Sequence, residues 1–225
     1  MDKNAKFVLR LFLLATFLGS VMFIVLITFA PFPSWWKYTV PEQSPMTWFE
    51  SVLLSACSFG AFGCAAAVFI KGAKKTPLIW TILGAAFFFL SLDERFAVHE
   101  RIRDRILAPM NIKLFFFWVD PGDIMLLIFM IFGLVFIPYM IKVFTVSKPG
   151  FLMFVFGVVI SVLAVIIDSF SFKGLSIEMQ RLQQYTEEMF ETFAMLLFLN
   201  SFFNVFITEI NPLSVKQYDG ASSID

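Results

Sequence analysis

Six long apolar runs, separated by short polar segments, constrain what this sequence can fold into. Each run is close to the roughly 20 residues that a helix needs to cross the hydrocarbon core of a bilayer. A backbone inside a membrane must satisfy its own hydrogen bonds, so runs of this length are expected to be helices. The predicted spans are residues 7–29, 46–70, 77–100, 121–146, 149–171 and 187–208.

The composition supports a membrane protein with several spans. Hydrophobic residues make up 59% of the 225 residues, and phenylalanine alone occurs 32 times. The mean hydropathy is +0.83. These values are typical of a polytopic helical membrane protein. We therefore predict an all-α integral membrane protein, with one six-helix transmembrane domain over residues 1–210 and a short polar tail over residues 211–225.

The charge distribution indicates the orientation of the spans. An even number of spans places both termini on one side, and nine of the 17 lysines and arginines belong to that side. Of the 17 acidic residues, 13 belong to the opposite half. The side richer in basic residues is usually cytoplasmic, so both termini are predicted to be cytoplasmic. We expect a multi-pass protein of the cell membrane, of the bacterial inner-membrane type, with no nucleic-acid partner.

Local signals mark where several of these helices begin. Ser44-Pro45, Thr76-Pro77 and Asp120-Pro121 each combine a capping side chain with a proline in the first turn, where proline costs no hydrogen bond. Residues 176–185 mix apolar and polar side chains, a pattern that favours an interfacial lead-in continuing into the sixth span.

Acidic residues inside the apolar runs point to function. Ionisable groups are costly in hydrocarbon and usually mark a functional site. Measured at 1.5 Å per residue from the predicted cytoplasmic boundary, Asp93 lies at a depth of about 24 Å and Asp168 at about 28 Å. Glu191 lies at about 27 Å and Glu50 at about 31 Å. Four different spans therefore deliver a carboxylate to one layer, just below the outer surface.

Two segments concentrate these groups. The outer end of the third span contains Asp93, Glu100 and the only histidine of the chain, His99. The sixth span contains Glu188 and Glu191, which share one helix face. Carboxylates held together in a low dielectric need a neutralising charge, which arginines, protons or a metal ion could supply.

These residues lead to the hypothesis of a metal site. Carboxylates with one imidazole suit a divalent metal ion, and zinc, iron, manganese, magnesium and calcium all remain candidates. Glu50 is the candidate catalytic residue, as a general base. The proposed metal ligands, or residues that support them, are Asp93, His99, Glu100, Asp168, Glu188 and Glu191.

Structural explanations compete with this hypothesis. Residues 93–105 could form a surface network of salt bridges, because acidic and basic side chains recur there at spacings of three and four. Glu50 stands in the second turn of its helix, where a carboxylate complements the helix dipole. No HExxH, GxSxG, phosphate-loop or Glu-x-x-His motif is present to decide the matter.

Three function classes remain open. The first is a metal-dependent enzyme that acts on a membrane lipid or another apolar, lipid-like substrate. The second is a small cation-coupled or proton-coupled transporter, although its conduction path would cross a cytoplasmic half composed mostly of phenylalanine, leucine, isoleucine and valine. The third is an accessory subunit whose small and aromatic residues pack against a membrane-protein partner.

Overall fold

The computed structural model describes residues 3–41, 43–73, 76–102, 105–106, 109, 124–169 and 176–211. In these residues the regular structure is helical and contains no strand. A short 3₁₀ helix (Trp35–Tyr38) follows the first α-helix. The α-helices are α1 (Lys3–Phe29), α2 (Pro45–Ile70), α3 (Thr76–Phe96), α4 (Val98–Ile102), α5 (Ile124–Phe144), α6 (Lys148–Ser169) and α7 (Ile177–Ile210).

Five helices are long and apolar enough to cross a membrane: α1, α2, α3, α7 and, in α6, the segment Lys148–Ile167. The predicted all-helical membrane architecture is therefore confirmed. In α5, the apolar segment found among the residues whose side chains are described is Val135–Phe144. The count of six spans and the cytoplasmic termini stay predictions, and the predicted tail beyond Asn211 lies outside the described residues.

Capping residues define the starts of α2 and α7. The Ser44 hydroxyl accepts hydrogen bonds from the backbone N–H groups of Met46 and Thr47, and Pro45 occupies the first helical position. At α7, the Ser176 hydroxyl accepts from the Met179 N–H. The predicted lead-in at residues 176–185 thus forms the first turns of α7, which is 34 residues long.

The chain breaks between α3 and α4, although the sequence predicts one continuous helix to residue 100. Ala97 adopts a φ of 48°, in the left-handed region that non-glycine residues seldom occupy. The helical hydrogen bonding of α3 therefore ends at Phe96, and α4 restarts at Val98. This turn brings His99 back toward the end of α3.

The core lies between α2, α3, α5, α6 and α7 and is strongly aromatic. Phe202 of α7 is fully buried at its centre. Its ring lies 5.2 Å from that of Phe87, 5.8 Å from that of Trp80 and 6.1 Å from that of Phe144, between ring centroids. Edge-to-face and tilted ring pairs of this kind stabilise a core beyond the area they bury. The interior at this level is filled with packed rings.

Small residues bring the central helices close together. Cys57 and Cys64 are free and buried. Their thiols donate to the backbone carbonyls of Met195 and Phe202 on α7, at 3.5 and 3.4 Å. By contrast α1 is peripheral, with 11% of its apolar span buried. The packing of α2 and α6 on α7 therefore positions the site, and α1 lies at its edge.

Candidate functional site

The structure brings three acidic residues together between α2 and α7. One carboxylate oxygen from each of Glu50, Glu188 and Glu191 lies within 4.8 Å of the others. Glu188 and Glu191 are three residues apart, so they share one face of α7. Glu50 reaches them from the second turn of α2. We call these three residues the carboxylate cluster.

Glu50 is the most deeply enclosed member of the carboxylate cluster. Its side chain is fully buried, and its Oε1 accepts a 2.8 Å hydrogen bond from the Thr192 hydroxyl. Its Oε2 is buried and accepts no hydrogen bond from a donor group, while the Glu188 carboxylate lies close enough to share a proton with Glu50. A buried acceptor without a donor costs free energy, and a buried ionised oxygen costs more. The arrangement is one that a bound cation or a proton would complete.

The electrostatics of the carboxylate cluster also favour the binding of a cation or a proton. The negative charges of Glu188, Glu191 and also Glu94 on α3 act on Glu50. Like charges at this separation in a low dielectric cannot all persist unless positive charge is added.

The distances suit a metal ion. Oxygens bound to one calcium ion at 2.3–2.6 Å lie at most about 5 Å apart, and around magnesium the limit is about 4 Å. The three oxygens lie within 4.8 Å of one another, so one ion could bind all three after small side-chain adjustments.

Serine contacts hold α3 against the α2 end of the site. The Ser51 hydroxyl donates to the backbone carbonyl of Ser91 at 3.0 Å, and the Ser91 hydroxyl donates to the Ser51 carbonyl at 2.8 Å. Ser55 lies 2.7 Å from Ser91 by their hydroxyls. Hydrogen bonds between apolar helices fix their relative register. Ser51 follows Glu50 directly, so this contact places α3 beside the carboxylate cluster.

The 3₁₀ helix packs over the first turns of α7. The Arg181 guanidinium lies 3.9 Å from the centroid of the Trp36 ring, a cation–π distance. The Trp35 ring meets Tyr185 edge-on at 5.4 Å, and the Tyr185 hydroxyl lies 3.3 Å from that of Thr28 on α1. Tyr185 is one turn before Glu188. These aromatic contacts therefore cover α7 next to the carboxylate cluster.

Asp93 and His99 form a separate pair. Asp93 is 6% exposed, and its Oδ1 accepts from the His99 backbone N–H at 2.7 Å. Its Oδ2 lies 2.8 Å from His99 Nδ1. An ionised carboxylate only accepts, so Nδ1 carries the proton of this contact. Asp93 thus orients the imidazole, which is how carboxylates commonly support a histidine that binds a metal or moves a proton.

Comparison with known proteins identifies a family. A family model described as Domain of unknown function (DUF8692) matches residues 8–206. The chain belongs to this family. The matched range includes the carboxylate cluster and the Asp93–His99 pair, and the description assigns no activity. No curated protein matches the chain, and no solved structure matches it.

Two further predicted ligands lie within the family match but outside the described side chains. Glu100 belongs to α4 and Asp168 to the last turn of α6. Their backbones are described, whereas their side chains are not. Their part in a metal site stays a prediction.

The site also contains residues that the sequence did not single out. Thr192 is the hydroxyl donor to Glu50, although most threonines in apolar helices bond to their own backbone. The sequence did contain one signal for Thr192: it lies four residues after Glu188, and residues four apart share one face of a helix. Glu94 on α3 was not among the proposed ligands, yet its charge acts on Glu50.

Proposed function

We propose that this protein is a metal-dependent enzyme of the membrane, in which Glu50, Glu188 and Glu191 bind one divalent metal ion. The observation that carries the proposal is the fully buried Glu50, whose Oε2 lacks a partner within a group of three carboxylates. A bound cation would supply the missing partner and neutralise most of the charge. Its Lewis acidity would polarise a substrate oxygen or activate water.

The donor set favours hard metal ions. Three carboxylates suit magnesium, manganese, calcium or iron(II), and a zinc ion would fit better if His99 joined the ligands. With Asp93 on Nδ1, the coordinating or proton-accepting atom of His99 would be Nε2. We therefore propose that Asp93 positions His99. We also propose that the main role of Glu50 is to bind the metal, and that a role as general base is secondary.

The packing of the interior supports an enzyme over a transporter. A transported ion would have to continue past the carboxylate cluster through the other half of the bundle. There, among the described residues, Trp80, Phe87, Phe144 and Phe202 pack ring against ring. The rings of this part of the core offer a cation no oxygen ligand to replace its hydration shell.

The position of the site suggests the substrate class. Glu50 and Glu191 both lie in candidate membrane spans, so a substrate must be able to reach groups at or below the membrane surface. A lipid or another apolar molecule meets this requirement. With six spans and cytoplasmic termini, the carboxylate cluster would face the outer leaflet of a bacterial inner membrane.

Metal analysis of the purified full-length protein tests the proposal. The protein is stripped with a chelator, exposed in turn to magnesium, manganese, calcium, iron(II) and zinc, desalted and analysed by mass spectrometry. We expect about one ion per chain for at least one metal, and its loss in Glu191→Gln and Glu50→Gln. Glu178→Gln is the matched control, because Glu178 is exposed on the same helix and pairs with Arg181.

Two outcomes would overturn the proposal. One is the absence of stoichiometric metal from the folded wild-type protein under all five conditions. The other is equal binding by the wild type and by a folded Glu191→Gln variant, which would place the ion elsewhere. Size-exclusion chromatography and thermal unfolding identify the variants that are folded.

A further inference from the structure

Glu94 of α3 faces α2 close to the carboxylate cluster. Ser91 is buried in the serine contact with α2, where its hydroxyl donates to the Ser51 carbonyl at 2.8 Å. Glu94 follows Ser91 by three residues, so the two side chains share one side of α3. Glu94 is partly buried. Its position on the helix therefore directs a fourth carboxylate toward α2.

The antiparallel packing of α2 and α3 sets Glu94 near the level of Glu50. Seven residues beyond the serine contact on α2, the Ser58 hydroxyl donates at 2.8 Å to the carbonyl of Gly84, which is seven residues earlier on α3. By this register Glu94 lies about 3 Å of helix rise from Glu50, toward the start of α2. Side chains lean toward the N-terminus of their own helix, so in these antiparallel helices the two glutamates lean toward one another.

Glu50 lies between Glu94 and the acidic residues of α7. Helix α2 packs closely on both α3 and α7. The charge of Glu94 acts on Glu50 more strongly than that of Glu191, although Glu191 belongs to the carboxylate cluster. The oxygens that lie within 4.8 Å of one another come from α2 and α7 and do not include Glu94. Glu94 is therefore close to Glu50 on the side away from Glu191, outside the reach of an ion that all three cluster residues bind.

The charge and the free oxygen at Glu50 leave room for more than one ion. One divalent ion offsets two of the three charges in the carboxylate cluster, and Glu94 adds a fourth. Glu50 Oε2 is buried and accepts no hydrogen bond from a donor group. A carboxylate offers about four acceptor positions on its two oxygens, so one glutamate can serve two ions.

We propose that Glu94 and Glu50 bind a second divalent ion, which makes the site a two-ion centre with Glu50 as the shared ligand. This inference rests on the metal site proposed above. Two protein carboxylates suffice for an ion of the magnesium type, because such ions keep several waters as their remaining ligands. Two ions about 3.5–4 Å apart can stabilise both the attacking and the leaving oxygen of a substrate. Glu94 thus contributes a ligand from a third helix.

Electron paramagnetic resonance of manganese(II) tests the proposal on the full-length wild-type protein. Free manganese(II) gives a strong, characteristic spectrum, so its loss on titration into metal-stripped protein counts the bound ions at equilibrium. We expect about two ions per chain, the second one weaker and removed by desalting because it has fewer protein ligands. Ions about 4 Å apart interact magnetically, so the spectrum of the bound ions should show their coupling.

Glu94→Gln is the diagnostic variant. It should bind about one ion per chain and lose the magnetic coupling. Glu178→Gln, which changes an exposed glutamate of α7 paired with Arg181, should keep both ions and their coupling. If Glu94→Gln does not fold, the wild-type spectrum alone decides the matter.

Each other outcome contradicts the inference in its own way. A single ion per chain in the wild type would exclude the second ion and leave the proposed function standing. Two uncoupled ions in the wild type would lie in separate sites. Two ions retained by folded Glu94→Gln would place the second ion elsewhere. The absence of any bound ion from the wild type would overturn the proposed function together with this inference.

Discussion

The two carboxylate oxygens of Glu50 have different surroundings, and each has its own consequence. Oε1 is held by Thr192, which fixes the rotamer of the side chain. Oε2 accepts no hydrogen bond from a donor group, so it is available to a cation or a proton in the carboxylate cluster. A ligand that is held through its second oxygen loses less conformational entropy when a cation binds. Thr192 is therefore part of the site even though it need not touch a metal.

Replacing Thr192 by valine tests this supporting role. The change keeps the shape of the side chain and removes the hydrogen bond to Glu50. We expect metal affinity to fall by roughly 10–100-fold, the usual effect of losing such a partner. Isothermal titration calorimetry measures it. Thr186→Val is the control, because the Thr186 hydroxyl donates to the Leu182 carbonyl of its own helix, at an exposed position of α7. Equal affinity in both variants would contradict the prediction.

Replacing Asp93 by asparagine tests the orientation of His99. The chain has one histidine, so ¹⁵N-labelled histidine gives a single imidazole spectrum in nuclear magnetic resonance. In the wild type we expect a protonated Nδ1, held by the carboxylate. In Asp93→Asn the signals should move toward those of a freely exchanging imidazole. An identical spectrum in the two proteins would show that Asp93 does not orient the ring.

At the scale of helices, both ends of α2 were predicted to within one residue, whereas α3 was predicted to within one residue only at its start. Ser44-Pro45 and Thr76-Pro77 are local signals, and α2 and α3 begin at Pro45 and Thr76. The end of α3 was predicted four residues too late, because it depends on Ala97 in a left-handed conformation. Glycine or asparagine would have signalled such a stop, whereas alanine does not. The hydrogen bonds between Asp93 and His99 depend on this turn, so they could not be predicted from the sequence.

The contact between α6 and α7 provides a prediction at the same scale. A Cβ on Gly150 would lie 3.1 Å from the Val205 side chain and 3.2 Å from the Ser201 backbone carbonyl. Because a backbone carbonyl yields little, Gly150→Ala should destabilise the protein by about 1–3 kcal/mol. Gly19→Ala on α1 is the matched control, since a Cβ there meets nothing within 4 Å. Thermal unfolding in detergent compares them; an equal or higher midpoint for Gly150→Ala would be contrary to expectation.

For the whole molecule, the common depth of the acidic residues could be predicted from the sequence, whereas the pairs of helices that pack together could not. Residue counting placed Glu50 and Glu191 in one layer, and the structure brings them together. The sequence could not show that α2 packs on α7, because that contact depends on how Gly60 and Gly63 fit Phe202 and Phe206. Asp93 belongs to the same predicted layer and yet pairs with His99. Depth alone leaves the rotation and the partner of each helix undetermined.

The aromatic core leads to a prediction about ion flux. Proteoliposomes containing the wild-type protein should release a trapped cation no faster than protein-free liposomes, because Phe202 and its neighbours block the path beyond the carboxylate cluster. Fluorescent ion indicators measure the release. Rapid flux that disappears in Glu191→Gln would instead make the acids part of a conduction pathway.

The length of α7 bears on which solution would exchange ions with the proposed metal site. Its 34 residues extend about 51 Å, well beyond the roughly 30 Å of hydrocarbon. The segment from Glu191 to Ile210 alone covers about 29 Å. With Ile210 at one edge of the hydrocarbon, Glu191 would fall at the opposite boundary with the headgroups, and the preceding turns of α7 would lie in the headgroup layer and the water above it. Occupancy would then follow the ion concentrations of the compartment on that one side of the membrane and be insensitive to those on the other.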